Sequence, residues 1–347
     1  MLASYVYTAG ASNIAGYSVN SDGSLSPVPN SPYTSATDNY IVTNGSNVYT
    51  VNSGGTELEV YSIKASDGSL ALANTTNAIA GNTSFSGDIV GGLSLDHTGA
   101  SLYIGEIDSS GDDGQNVWSV GNSPSATQVQ WDGGSEVFGP PLVWSPNNLY
   151  AYSGNCYHAA WTLFSYTRAS NGTLTSPNFL TGGPPVLTQG DMPCPLAFAV
   201  SAKGFLAVAY SATPQGGQVM IGTYALNNDG TLTPISGSQV TTASNSGANG
   251  GNAPVAINFD PTGTYLAAAG NGGIQTFTLG STGLLSPVSS PIDAATNFQN
   301  VAWDKSNHVF ATTTNQLYVW NFAKGTLTPA TGSPYGGGTG LAVLPLQ

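Results

Sequence analysis

Four carboxylates fall within one short stretch of this sequence, EIDSSGDDGQN at 106–116, arranged around two glycines. Hard oxygen donors packed that closely suit a calcium ion, and Asp108, Asp112 and Asp113 are the expected ligands. Their order departs from that of a helix–loop–helix calcium loop, so a solvated acidic loop is the competing reading. A second stretch, GNCYHAAW at 154–161, sets Cys156, His158 and Trp161 close together. His158 is the candidate general base, because an imidazole titrates near neutral pH; a packing histidine is its rival. Cys156 and Cys194 are the only cysteines, and a disulfide between them would tie down the 178–195 segment and imply an oxidising compartment. Trp131 and Trp161 offer flat faces on which a sugar ring stacks, with Asp88, Asp132, Glu136 and Asp191 beside them as a ligand face.

Other catalytic constellations are missing. The sequence has no G-x-S-x-G elbow, H-E-x-x-H, Walker loop or C-x-x-C. The glycine clusters GANGGN (247–252) and GGGTG (336–340) precede strand-like runs, so they lack the helix N-terminus that holds a phosphate. Calcium is the one cofactor the residues suggest.

Composition narrows the partners. Only 7% of the 347 residues are charged, against roughly 25% in ordinary soluble domains. The balance is 18 acids to 5 cations, a net charge of −13, which disfavours nucleic acid and anionic membrane surfaces. No apolar run approaches the roughly 18 residues of a membrane span. A surface of Ser, Thr, Asn and Gly suits an extracellular or cell-surface protein. The strand-like run SYVYTA starts at residue 4, so any signal peptide is expected to have been removed.

These residues must be positioned by a repeat. A Gly-Ser/Thr-Leu phrase recurs as DGSL (22–25), DGSL (67–70), NGTL (171–174), DGTL (229–232), TGLL (282–285) and KGTL (324–327), and a degenerate copy, GNSPSA (121–126), fills the long gap. Out of phase with it runs a hairpin phrase, as in INFDPTGTYLAAA and VAWDKSNHVFATT, and a third strand such as LEVYSIK or LYVWNF lies between the two. No stretch sustains a helical period. Four strands, A to D, therefore recur about every 42–58 residues, which is the signature of a β-propeller blade. The expectation is an all-β, seven-bladed propeller forming one domain over 1–347, with repeats starting near 5, 48, 102, 149, 205, 265 and 309. The C-terminal run GLAVLPL (340–346) should supply the inner strand of the blade that the N-terminal strands begin.

An apolar A strand, a YLYVA-like B strand, a VSVY-like C strand and DGxL resemble the seven-bladed lactonase-type propellers. That group includes 6-phosphogluconolactonase-like and carboxymuconate-lactonizing-like proteins. The resemblance spans essentially the whole chain and implies lactone chemistry served by His, Arg and Glu around the channel. Here Arg168 falls in a C–D turn, and His97 and His308 fall in A–B turns. All three lie on the face opposite the long B–C and D–A loops.

Sorting charges by that scheme gives a polar molecule. The top loops receive Asp38, Glu57, Asp88, Glu106, Asp108, Asp112, Asp113, Asp132, Glu136, Asp191 and Asp293, whereas Lys64, Arg168, Lys203, Lys305 and Lys324 all go to the bottom. A developing oxyanion at such a top would find no cation to stabilise it. The expected function is therefore a non-catalytic extracellular propeller that acts as a binding or self-assembling surface scaffold through its acidic top. Opposed charge on the two faces would favour head-to-tail association. The alternatives are a lactone hydrolase or related isomerase at the channel mouth, and a glycan-binding propeller.

Overall fold

This computed structural model describes residues 2–35, 40–52, 57–77, 89–107, 113–120, 127–132, 141–157, 160–175, 178–180, 195–211, 217–245 and 255–345. They form seven antiparallel sheets arranged as the blades of a propeller, with no helix among them. In order A to D, blade 2 comprises Tyr40–Thr43, Asn47–Val51, Leu58–Ile63 and Leu70–Thr76. Blade 3 comprises Ile89–Leu95, Ser101–Ile107, Asp113–Ser119 and Thr127–Asp132, and blade 4 Val143–Trp144, Tyr150–Tyr157, Ala160–Thr167 and Asn178–Leu180. Blade 5 comprises Pro195–Ser201, Phe205–Ser211, Gln218–Leu226 and Leu232–Pro234, and blade 6 Val255–Phe259, Tyr265–Gly270, Gly273–Leu279 and Leu285–Pro287. Blade 7 comprises Asn300–Trp303, His308–Thr312, Gln316–Ala323 and Thr326–Pro329.

Blade 1 is shared by the two ends of the chain. Its B, C and D strands are Leu2–Gly10, Asn13–Asn20 and Leu25–Pro27, and its A strand is Gly340–Pro345. The A and B strands pair antiparallel from Ser4 opposite Pro345 to Ala9 opposite Gly340. Closure leaves the ring without a free radial edge. The expected propeller and its mode of closure are both present, while the degenerate GNSPSA copy lies outside the described residues.

Apolar side chains pack between blades. Tyr5, Tyr7, Ile14, Val48, Tyr61 and Leu70 fill the joint of blades 1 and 2, and Ala207, Ile221, Phe259, Leu266 and Phe277 that of blades 5 and 6. Each apolar pair of faces is removed from water only when the next blade stacks on it, so stability arises from the joints.

The repeated phrase forms those joints. In the C–D turn of blade 2, Asp67 accepts hydrogen bonds from Ser69 N (3.0 Å) and Ser69 Oγ (2.6 Å), a local Asx turn. Gly68 follows with φ 71°, and a Cβ there would lie 2.4 Å from the Tyr5 ring of blade 1. Only glycine satisfies both constraints. The Gly68 carbonyl accepts from Tyr7 Oη at 2.8 Å, as Gly172 O does from Tyr103 (2.6 Å) and Gly283 O from Thr223 (2.5 Å). Each donor belongs to the preceding blade. The two SPY phrases work in the same direction: Tyr33 Oη accepts from Leu70 N of blade 2, and Tyr335 Oη of blade 7 accepts from Leu25 N of blade 1, both at 3.0 Å.

Candidate functional site

A strands line the central channel, running from the D–A crossings (the top) to the A–B turns (the bottom). Alternation along a strand sends successive side chains to opposite faces of the sheet, each facing a neighbouring blade. In blade 7, Val301 and Trp303 are buried in the joint with blade 6, and Asn300 and Ala302 are half-buried on the other face. Asn300 lines a cavity of about 440 Å³ at the top mouth, with Tyr40, Val42, Leu93, Pro141, Gln299, Thr339 and Leu341. No charged side chain is among its described lining residues. The Thr339 carbonyl accepts from Asn300 Nδ2 (3.0 Å) and Thr312 Oγ1 (2.6 Å). A carbonyl can only accept, so the Asn300 nitrogen must point at it and the amide oxygen is turned away.

The bottom mouth holds a second cavity, of about 330 Å³, lined by His97, Trp144, Pro146, Val200, Ser201, Ala202, Phe259, Asp260 and Pro261. Its polar groups are engaged by the turns. Asp260 takes four hydrogen bonds from Thr262, Thr264 and Tyr265, and Ser201 Oγ donates to Gly263 O at 2.8 Å. Desolvation in the cavity wall holds the His97 imidazole below the ordinary histidine range, against the opposing pull of Asp96 and a hydrogen bond to the Pro146 carbonyl.

The remaining titratable groups of the bottom serve as clasps. Asp304 Oδ2 accepts from Ser4 Oγ (3.0 Å) and sits 2.7 Å from His308 Nδ1. Serine, histidine and aspartate thus meet, but the aspartate lies between the other two and all three are buried. No hydroxyl is activated, so this is not a nucleophilic triad. The contact joins blade 7 to blade 1. Burial raises the Asp304 pKa, but hydrogen bonds from the His308 side chain and backbone outweigh it and leave the carboxyl below its usual range. Arg168, in the C–D turn of blade 4, is ion-paired to the fully buried Asp96 of blade 3. It is therefore unavailable to a substrate in the channel.

Of the nominated residues, Asp88, Asp108, Asp112, Glu136, His158, Asp191 and Cys194 lie outside the described residues. Backbone positions are described for five others. Asp113 opens strand C of blade 3, Trp131 pairs with Asn116 and Asp132 with Gln115. Cys156 lies directly opposite Trp161 in blade 4. Among the described residues, no group of three or more His, Cys, Asp or Glu side chains could hold a metal ion. Sequence reasoning passed over Tyr40, Gln299, Asn300 and Thr339, which are neutral and carry no acid–base signature. The usable signal was their position, at or just before the first residue of an A strand.

No family model matches the chain, and no curated protein sequence matches it. Solved structures do. The periplasmic gluconolactonase PpgL of Pseudomonas aeruginosa is 19% identical, with all of both chains covered and a TM-score of 0.72. A putative 6-phosphogluconolactonase of Bacteroides uniformis is 17% identical over 99% of this chain and 100% of that one, with a TM-score of 0.72. A putative 6-phosphogluconolactonase of Bacteroides fragilis is 17% identical over 99% and 98%, with a TM-score of 0.69. These neighbours correct the expected function. These three proteins, matched over their whole length, are described as a gluconolactonase and putative 6-phosphogluconolactonases, which favours the lactone-hydrolase alternative over the non-catalytic, self-assembling scaffold. The scaffold reading treated the lack of top-face cations as an argument against catalysis, whereas it disfavours only anionic substrates. What the likeness shows is the fold, the seven-bladed propeller of the lactonase type.

Proposed function

We propose that this protein hydrolyses sugar-type lactones at the top mouth of its channel. The observation that carries the reading is the whole-length likeness to proteins described as gluconolactonase and putative 6-phosphogluconolactonase. The top cavity supports it: about 440 Å³ is within the range of small-molecule sites. Its lining offers the Asn300 amide oxygen and the Gln299 side-chain amide to a hydroxylated ring.

The chemistry asks for a water nucleophile and a proton acceptor. Water adds to the lactone carbonyl, its proton passes to a base, the ring C–O bond breaks and the ring oxygen leaves as a hydroxyl, giving the open hydroxy acid. We take His158, the candidate base of the GNCYHAAW segment, for this step, because an imidazole titrates near neutral pH. Among the described lining residues, the side-chain N–H groups of Gln299 are the donors for the oxyanion, without a formal cation. One neighbour is described as periplasmic, which is compatible with a secreted or periplasmic location. Export would give Cys156 and Cys194 an oxidising environment in which to pair; thiol titration of the denatured protein should then find none free.

The test is a lactone-hydrolysis assay corrected for spontaneous ring opening. Wild type should accelerate hydrolysis, and His158→Ala should lose most of that acceleration. No acceleration over buffer by the folded wild type would refute the reading.

A further inference from the structure

The top mouth contains an oriented hydrogen-bond acceptor. Asn300 Nδ2 is fixed on the Thr339 carbonyl at 3.0 Å, so Oδ1 is turned away from that carbonyl on a residue that lines the cavity. Gln299 lines it as well, its backbone N–H engaged with Thr312 O at 2.7 Å. Among the described residues, neither the Asn300 oxygen nor the Gln299 side chain makes a hydrogen bond within the protein. All five cations lie in or beside A–B and C–D turns, at the other end of the ring. A mouth whose described lining bears an acceptor and no cation matches a ligand that brings hydroxyl donors, and it opposes one that brings a phosphate dianion.

We propose that Asn300 is the specificity-determining residue of this mouth. Its amide oxygen accepts a hydrogen bond from a ring hydroxyl, with Gln299 as a second polar contact, so the site selects neutral polyhydroxylated lactones over phosphorylated and over unsubstituted ones. This rests on the lactone-hydrolase reading.

Wild type, Asn300→Ala, Asn300→Asp and Gln299→Ala would be assayed on glucono-δ-lactone, its 6-phosphate and δ-valerolactone, with thermal unfolding of each variant as the folding control. Wild type should show its highest kcat/KM on glucono-δ-lactone. Asn300→Ala should raise KM for that substrate about 10-fold with little change in kcat, the size expected for one lost hydrogen bond to a neutral group, and should leave δ-valerolactone unaffected. Asn300→Asp keeps an acceptor but loses the Nδ2 bond that orients it on the Thr339 carbonyl, so it should bind glucono-δ-lactone more weakly than wild type, still prefer it to the unsubstituted ring, and discriminate further against the 6-phosphate. If Asn300→Ala does not fold, Asn300→Asp and Gln299→Ala carry the test on the same ratios. Equal or higher kcat/KM on the 6-phosphate overturns the proposal while leaving the lactonase reading intact. So does a KM for glucono-δ-lactone unchanged in Asn300→Ala, or in Gln299→Ala where that variant stands in. Absence of turnover on every lactone removes both.

Discussion

The two mouths of the channel are built from the same A strands but use their side chains in opposite ways. At the bottom, Asp260 and Ser201 are held by backbone groups of their own and neighbouring turns, and Asp96 and Asp304 are buried against the next blade. At the top, Asn300 and Gln299 face about 440 Å³ of open cavity with hydrogen-bonding capacity to spare. Among the described residues, the charged groups of the bottom belong to the masonry, and those that line the top cavity are neutral. A comparison of charge by face therefore finds scaffold more readily than it finds the site.

That contrast predicts that top variants change activity at unchanged Tm and bottom variants do the reverse. The largest effect expected is at His158, where removing a general base should cost on the order of 10² to 10⁴ in kcat with little change in Tm. A matching fall in Tm would reduce His158 to a packing residue. Next comes Arg168→Ala, which leaves Asp96 buried without its partner and should cost roughly 3–5 kcal/mol of stability. Chemical denaturation measures it, and lactone turnover by the folded fraction should not move. Gly68→Ala follows at about 1–3 kcal/mol, because the left-handed backbone and the Tyr5 ring both resist a Cβ.

A smaller effect reads the blade 7 to blade 1 clasp. The Asp304 pKa is lowered on folding, so its stabilisation is present above the ordinary carboxylate range and is lost as pH falls through the folded value. Tm should drop with acid more steeply in wild type than in Asp304→Asn; parallel curves would show that the clasp contributes nothing. Smallest is His97→Ala, expected to change neither turnover nor substrate preference although it borders a cavity. Lost turnover there would place the chemistry at the bottom mouth and break the contrast.

The fold was legible because its constraints recur. A C–D turn that needs a positive φ and no Cβ against the neighbouring blade writes Gly at Gly23, Gly68, Gly172, Gly230, Gly283 and Gly325, and the Asp or Asn before four of them is written by the Asx turn. Tyr in SPY follows from a hydroxyl that must meet the next blade's backbone. The candidate site was less legible, for a physical reason. Asn300 and Thr339 stand 39 positions apart, meet where the last D–A crossing passes the A strand of blade 7, and belong to residue types that abound on this surface. Nothing in their local sequence sets Asn300 apart from an ordinary solvated amide.

The side-chain bonds that reach a C–D turn carbonyl across a blade joint point one way round. Tyr7, Tyr103, Tyr150, Thr223, Thr276 and Asn321 each reach forward to a turn carbonyl of the following blade. Mechanically this makes the molecule a hoop of like rivets rather than a stack resting on a base. Loss of one rivet opens a single seam and leaves the others still under the same tension. Damage should therefore surface first as a gap between two particular blades, visible as local hydrogen exchange at that seam, before the whole barrel of blades comes apart.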